Sequence, residues 1–115
     1  MSAGAERVPP ATLRSELEGK VLHGISYDPR YFFYFHPTGD GRLRAQSGNT
    51  YAEALAAPSD RNSETWRVAT DGALCLRWDR FKDARERCLH VYQSGRKFQA
   101  YTATGALALA FRVDP

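Results

Sequence analysis

Two cysteines, Cys75 and Cys88, are the residues of this chain best suited to covalent or metal chemistry. They lie in the stretch "ETWRVATDGALCLRWDRFKDARERCLHVY" over 64–92, with Trp66 and Trp78 upstream of the second. Such a pair can be a staple, a metal grip or a redox couple. Zinc asks for about four ligands, commonly in close pairs such as C-x2-C. Here the cysteines are far apart, His23 and His36 fall on other segments, and His90 alone stands near one of them, Cys88. A redox couple is usually C-x-x-C, often near a βαβ unit, and neither feature is present. A structural disulfide is the favoured reading, with unpaired buried thiols and a metal or redox role as the alternatives.

Other chemistry is weakly signalled. No carboxylate or second histidine stands at local ligand spacing to His23, His36 or His90. Surface or hydrogen-bonded histidines are the favoured reading, and whether any of them binds metal stays open. No G-x-S-x-G elbow occurs, and Ser47 and Ser94 sit in turn sequences. Asp79 and Asp83 share their segment with Arg80, Lys82, Arg85 and Arg87, which reads as a solvated, salt-bridged loop. Gly39 and Gly41 in "PTGDGR" are followed by no G-K-[ST] and no helical pattern, so they make no phosphate loop. No catalytic residue, metal ligand or cofactor is assigned.

The aromatic run "YDPRYFFYF" is more suggestive. It supplies Tyr27, Tyr31, Phe32, Phe33, Tyr34 and Phe35 within nine positions. A strand with large rings on both faces is buried twice, or lines a cavity while its back meets a helix or a partner. Ordinary core is the favoured reading. The ligand-pocket alternative would use Tyr31, Phe33 and Phe35 together with Trp66 and Trp78, since a small barrel either fills with side chains or holds one small ligand.

The elements that must position these groups follow from periodicity. "PATLRSELEGK" reads as a short helix: Pro10 suits its first turn, Leu13 and Leu17 share one face, and Gly19 stops it. From there the pattern alternates with period two. Val21, His23, Ile25 and Tyr27 oppose Leu22, Gly24 and Ser26, and "RLRAQ", "TWRVAT", "ALCLRW", "CLHVYQ", "KFQAYTA" and "ALALAFRV" follow between Gly-bearing turns. "DG" at 71–72 is the strongest hairpin signal. "TYAEALAAP" is ambiguous between a helical turn and a strand. Short connections favour a mainly β fold, a small antiparallel up-and-down barrel of seven to nine strands, with the N-terminal helix across one end. Residues 1–9 read as a flexible arm and 10–115 as one barrel domain.

In this register Cys75 and Cys88 lie on neighbouring strands, on the face opposite the large aliphatics. Their Cα atoms can then come within the roughly 4.4–6.8 Å that a disulfide needs. Disulfides persist in oxidising compartments. "MSAGAERVPP" has no apolar signal region, so the expectation is a periplasmic or secreted mature domain whose leader is absent. No run of 18 apolar residues is present to span a membrane.

Charge bounds the partners. Sixteen Lys+Arg against 13 Asp+Glu give +3 in 115 residues. Arg42, Arg44, Arg67 and Arg77 could share one face and bind single-stranded nucleic acid beside aromatic rings. The low net charge and the oxidising compartment argue against it, and no nucleic-acid partner is expected.

The stretches "LRSELEGKVLHG", "YFFYFHPTGDGRLRA", "TWRVATDGALCLRW" and "RCLHVYQSGRKFQAYTATG" together resemble a pattern in small exported bacterial proteins of unknown function. Its marks are W-x-V-x-x-x-G-x-L-C-x-x-W, here Trp66, Gly72, Cys75 and Trp78, and then Cys88 before a hairpin. Thr65 stands where that pattern has a glycine. The resemblance implies an exported, disulfide-tied, lipocalin-like barrel and carries no established activity.

The functional expectation is a non-enzymatic binding module for an apolar small molecule or an envelope protein partner. One alternative is an inhibitor of an extracytoplasmic enzyme through the loop Asp79–Arg87, with Arg80, Lys82, Arg85 and Arg87 as its contacts. Another is a small enzyme using histidine and carboxylate groups in the barrel mouth.

Overall fold

The computed structural model describes residues 6–27, 30–57, 65–77 and 86–114. Among them are two helices, α1 (Pro10–Leu17) and α2 (Tyr51–Ala56). The strands are β1 (Glu6–Arg7), β2 (Val21–Tyr27), β3 (Arg30–Pro37), β4 (Leu43–Gly48), β5 (Thr65–Val68), β6 (Leu74–Arg77), β7 (Glu86–Ser94), β8 (Lys97–Tyr101) and β9 (Leu107–Asp114).

Strands β2 to β9 form one antiparallel sheet in the order β4-β3-β2-β9-β8-β7-β6-β5. Each neighbour in space is a neighbour in sequence except where β9 returns to β2. That seam is fully paired, from Val21 opposite Asp114 to Ser26 opposite Leu109. The remaining gap, between β4 and β5, is spanned by one bridge from Arg42 to Thr65 and a 2.9 Å bond from the Trp66 amide to the Gly41 carbonyl. The result is the expected up-and-down barrel, nearly closed and eight-stranded. β1 lies outside this circuit and pairs with the end of β7 at Tyr92 and Gln93.

Alternation explains which residues face inward. Tyr31, Phe33, Phe35 and Pro37 on β3 are buried while Phe32, Tyr34 and His36 are only half-buried. Leu22, Gly24 and Ser26 do the same on β2, Leu74 and Leu76 on β6, Leu89 and Val91 on β7. Gly24 has a steric task. A Cβ there would overlap the Ala110 carbonyl oxygen and stand 2.7 Å from the Phe111 Cα, so the close approach of β2 to β9 requires glycine.

The helix α1 runs as expected, with proline in its first turn and Gly19 at φ 74° just past its end. Leu13 and Leu17 are fully buried and join the barrel core. Arg14 lies over the Trp66 ring at 5.0 Å and donates to the Gly39 carbonyl at 3.3 Å. The Trp66 indole in turn donates to the Thr38 carbonyl at 2.7 Å. These contacts hold α1 against the turn after β3 and against the start of β5. The ambiguous segment after β4 is helical: Thr50 Oγ1 caps it by accepting from the Glu53 amide at 3.1 Å, and Glu53 accepts from the Asn49 amide at 2.9 Å.

Cys75 and Cys88 are directly opposite each other on β6 and β7 and form a disulfide, with Cα atoms 4.0 Å apart. That is closer than the spacing expected from sequence, because the two residues are cross-strand partners in register. Cys75 is fully buried and Cys88 exposed.

Candidate functional site

The rings first considered as a pocket are packed side chains. Tyr31, Phe33, Phe35 and Trp66 are 6, 0, 1 and 2% exposed. Phe33 and Phe35 stack with centroids 4.2 Å apart, and Phe98 stacks on Phe111 at 5.2 Å. Leu74, Leu76, Leu89, Val91 and Leu109 are equally enclosed. Side chains with so little accessible surface have no water-sized void beside them, so this part of the interior is filled as protein cores are. Trp78 lies outside the described residues.

Among the described residues the most aromatic concavity is on the outside. β2, β9 and β8 run side by side, and their outward residues form two rows. Ile25, Ala110 and Gln99 make the first, and His23, Arg112 and Lys97 the second. The small Ala110 leaves the floor low. The side wall comes from β3 and α2. Tyr34 is the cross-strand partner of His23 and its ring lies 6.0 Å from the imidazole. Tyr51, at the start of α2, packs on Phe32 at 4.4 Å and meets Tyr34 edge-on at 6.1 Å. With Tyr27 at the far end, these residues line a groove of about 710 Å³.

α2 is held in place by backbone and side-chain bonds. Gln46 on β4 donates to the Leu55 and Ala57 carbonyls at 3.0 and 2.7 Å. Gly48 lets the helix settle, since a Cβ there would stand 2.7 Å from the Ala54 nitrogen. Tyr27, Tyr51 and Leu55 remain 40, 39 and 62% exposed. Burial, and then the neighbouring Tyr34 and Tyr27 phenols, push the Tyr51 hydroxyl above its usual range, against the opposing pull of Arg112. A phenol is already protonated at neutral pH, and these surroundings do not change that, so the Tyr51 hydroxyl can donate.

The histidines do not converge. His23 Nε2 lies 2.9 Å from Asp114 Oδ1 at one end of the groove. His90 pairs instead with Arg7, whose Nη2 is 2.8 Å from its Nδ1, and His36 faces outward on β3. Among the described residues the one grouping with three metal-type ligands close together is Cys75, Glu86 and Cys88. Its two sulfurs are joined in the disulfide and Glu86 is held by Arg67 through bonds of 3.0 and 2.8 Å. That bidentate pairing, first, holds the Glu86 carboxyl below its usual range.

The proposed interaction loop is only partly visible. Arg80, Lys82 and Arg85 lie outside the described residues. Arg87 belongs to strand β7, opposite Leu76, and is half-buried rather than part of an exposed loop. Of the four arginines considered for nucleic acid, Arg67 is paired with Glu86 and Arg42 faces Asp40 at 3.7 Å. Both pairings draw charge away from a continuous basic face.

Sequence reasoning missed Tyr51, Gln99, Ala110, Lys97 and Arg112. One signal was legible: rings on both faces of β3 meant that its back must meet something, and that something is α2. No family model matches the chain, and neither a curated protein nor a solved structure matches it at a significant level. What fold and site define is therefore a class, a nearly closed eight-stranded antiparallel barrel whose described inward rings are packed together and which carries an external aromatic groove.

Proposed function

We propose that this protein is a non-enzymatic binding module of an extracytoplasmic compartment, and that it binds on its outer aromatic groove rather than inside its barrel. The observation that carries this reading is the contrast between the enclosed inner rings and the open groove of about 710 Å³. Ligand sites commonly measure about 300–1,000 Å³ and combine apolar lining with a few polar groups. Tyr27, Tyr34, Tyr51, Ile25 and Ala110 supply the first here, Gln99, Arg112 and Lys97 the second. The Cys75–Cys88 disulfide supports an oxidising location, and no helix among the described residues is long and apolar enough to cross a membrane. An apolar small molecule is the first ligand to test. An envelope protein docking on the same rings would compete with it.

The test is uptake of a neutral apolar fluorophore, N-phenyl-1-naphthylamine, by the native protein and by Tyr51→Ala. Binding that is lost in the variant supports the reading. Absence of uptake, or uptake indifferent to Tyr51, refutes it.

A second reading has one observation in its favour. Asp114 orients the His23 imidazole at the edge of the groove, as a carboxylate does for a general base. Turnover of ester or phosphoester substrates that His23→Gln abolishes would establish a small enzyme. No turnover of either leaves the binding module.

A further inference from the structure

We infer that the groove takes a planar aromatic molecule bearing an anionic group, with the ring against Tyr51 and Tyr34 and the anion at Arg112 and Lys97. This rests on the binding-module reading and names its ligand class. Arg112 is the cross-strand partner of both His23 and Lys97. Three basic side chains thus stand in one row across β2, β9 and β8, on one face. Like charges directly opposite each other on a sheet destabilise it, so Lys97 beside Arg112 is an arrangement that an anion would relieve. Among the described residues that line the groove there is no acid. Among the described residues neither Lys97 nor Arg112 has an ion-pair partner. The acid two positions past Arg112, Asp114, is bonded to His23.

The second half of the site lies one row along the strands. Ile25, Ala110 and Gln99 offer a flat floor with an amide at its edge. Tyr34 and Tyr51 stand beside it with their rings edge-on to each other. Ring-on-ring contact adds attraction beyond area burial. Arginine's planar fork can donate to two oxygens at once of a carboxylate or of a tetrahedral phosphate or sulfonate. A neutral apolar ligand would leave the basic row unused, and a small inorganic anion would leave the rings unused.

The test compares two probes with nearly the same ring system, 8-anilinonaphthalene-1-sulfonate and neutral N-phenyl-1-naphthylamine, by fluorescence titration at low salt. The sulfonate is expected to bind about fivefold more tightly, the upper end of what a charge pair supplies at an exposed site. Lys97→Gln/Arg112→Gln should remove that margin, so that the variant binds the two probes with similar affinity. Raising salt should erode the sulfonate's advantage alone. Both changed side chains are exposed, and circular dichroism verifies that the variant folds. Equal affinities in the native protein, or a margin that survives the double variant, would overturn the anionic assignment while the binding-module reading stands. Sulfonate binding that is lost in the double variant but survives Tyr51→Ala would reduce the site to surface ion pairing and overturn the aromatic half. Failure of both probes to bind would overturn this inference and the reading beneath it together.

Discussion

Opening the Cys75–Cys88 bond should weaken the fold by an amount set by chain length. The two residues are 13 apart, so the bond closes a loop of 14 residues counting both ends. In the chain-entropy description, that loop restricts the unfolded chain by about 10 cal/mol/K, or about 3 kcal/mol at 25 °C. At about 2.1 cal/mol/K per residue, a chain of 115 residues has an unfolding entropy near 240 cal/mol/K, so each kcal/mol moves the midpoint by about 4 °C. The expected fall in Tm is about 12 °C. Thermal unfolding followed by circular dichroism, with and without a phosphine reductant, measures it. Cys75→Ala/Cys88→Ala provides the covalent control and should unfold at or below the reduced native protein, because Cys75 is buried and its truncation also leaves space. The control should be indifferent to reductant. A fall of less than about 3 °C on reduction, far short of that entropy, would refute the reasoning, and two titratable thiols in folded, air-exposed protein would remove its premise.

Gly24→Ala should lower stability by about 1–3 kcal/mol, as overpacking does, because the new methyl meets the backbone of β9 at Ala110 and Phe111. Thermal melts read this, and an unchanged Tm would contradict the close β2–β9 contact. Thr50→Ala removes the cap of α2 and should loosen that helix by about 1 kcal/mol. The loss should appear as faster amide exchange at Glu53 and weaker probe uptake beside Tyr51, with little change in global melting. Arg67 lowers the Glu86 pKa in the folded protein from its ordinary 4.5. The stabilisation is therefore complete above that value and is lost as pH falls through the folded pKa. Accordingly, the stability gap between native protein and Glu86→Gln should be steady at neutral pH and close on acidification, as urea melts at several pH values would show.

The barrel was legible because period-two alternation is a local property. "YFFYFHP", "KFQAY" and "LALAFRV" announce their strands, and the turn glycines announce where they reverse. The same alternation put Cys75 and Cys88 on one face of adjoining strands, which is enough to anticipate their bond. α2 was not decided that way, since in "TYAEALAAP" alanine and leucine favour a helical turn while the length and flanks permit a strand. Its cap at Thr50, its two bonds from Gln46 and the room left by Gly48 make it a helix and lay it over β3.

The amino-acid sequence by itself determined the barrel strands β2 to β9, their two faces and the covalent tie between two of them, since each depends on residues near one another along the chain; β1 lies in the segment read as a flexible arm. Only the tertiary structure decided that Tyr31, Phe33, Phe35 and Trp66 are packed into the core and that the aromatic groove lies outside. Closure sets β9 beside β2, and α2 folds back over β3. The groove therefore combines Ile25 with Ala110 and Tyr51 with Arg112, pairs far apart in the chain whose meeting no local periodicity encodes.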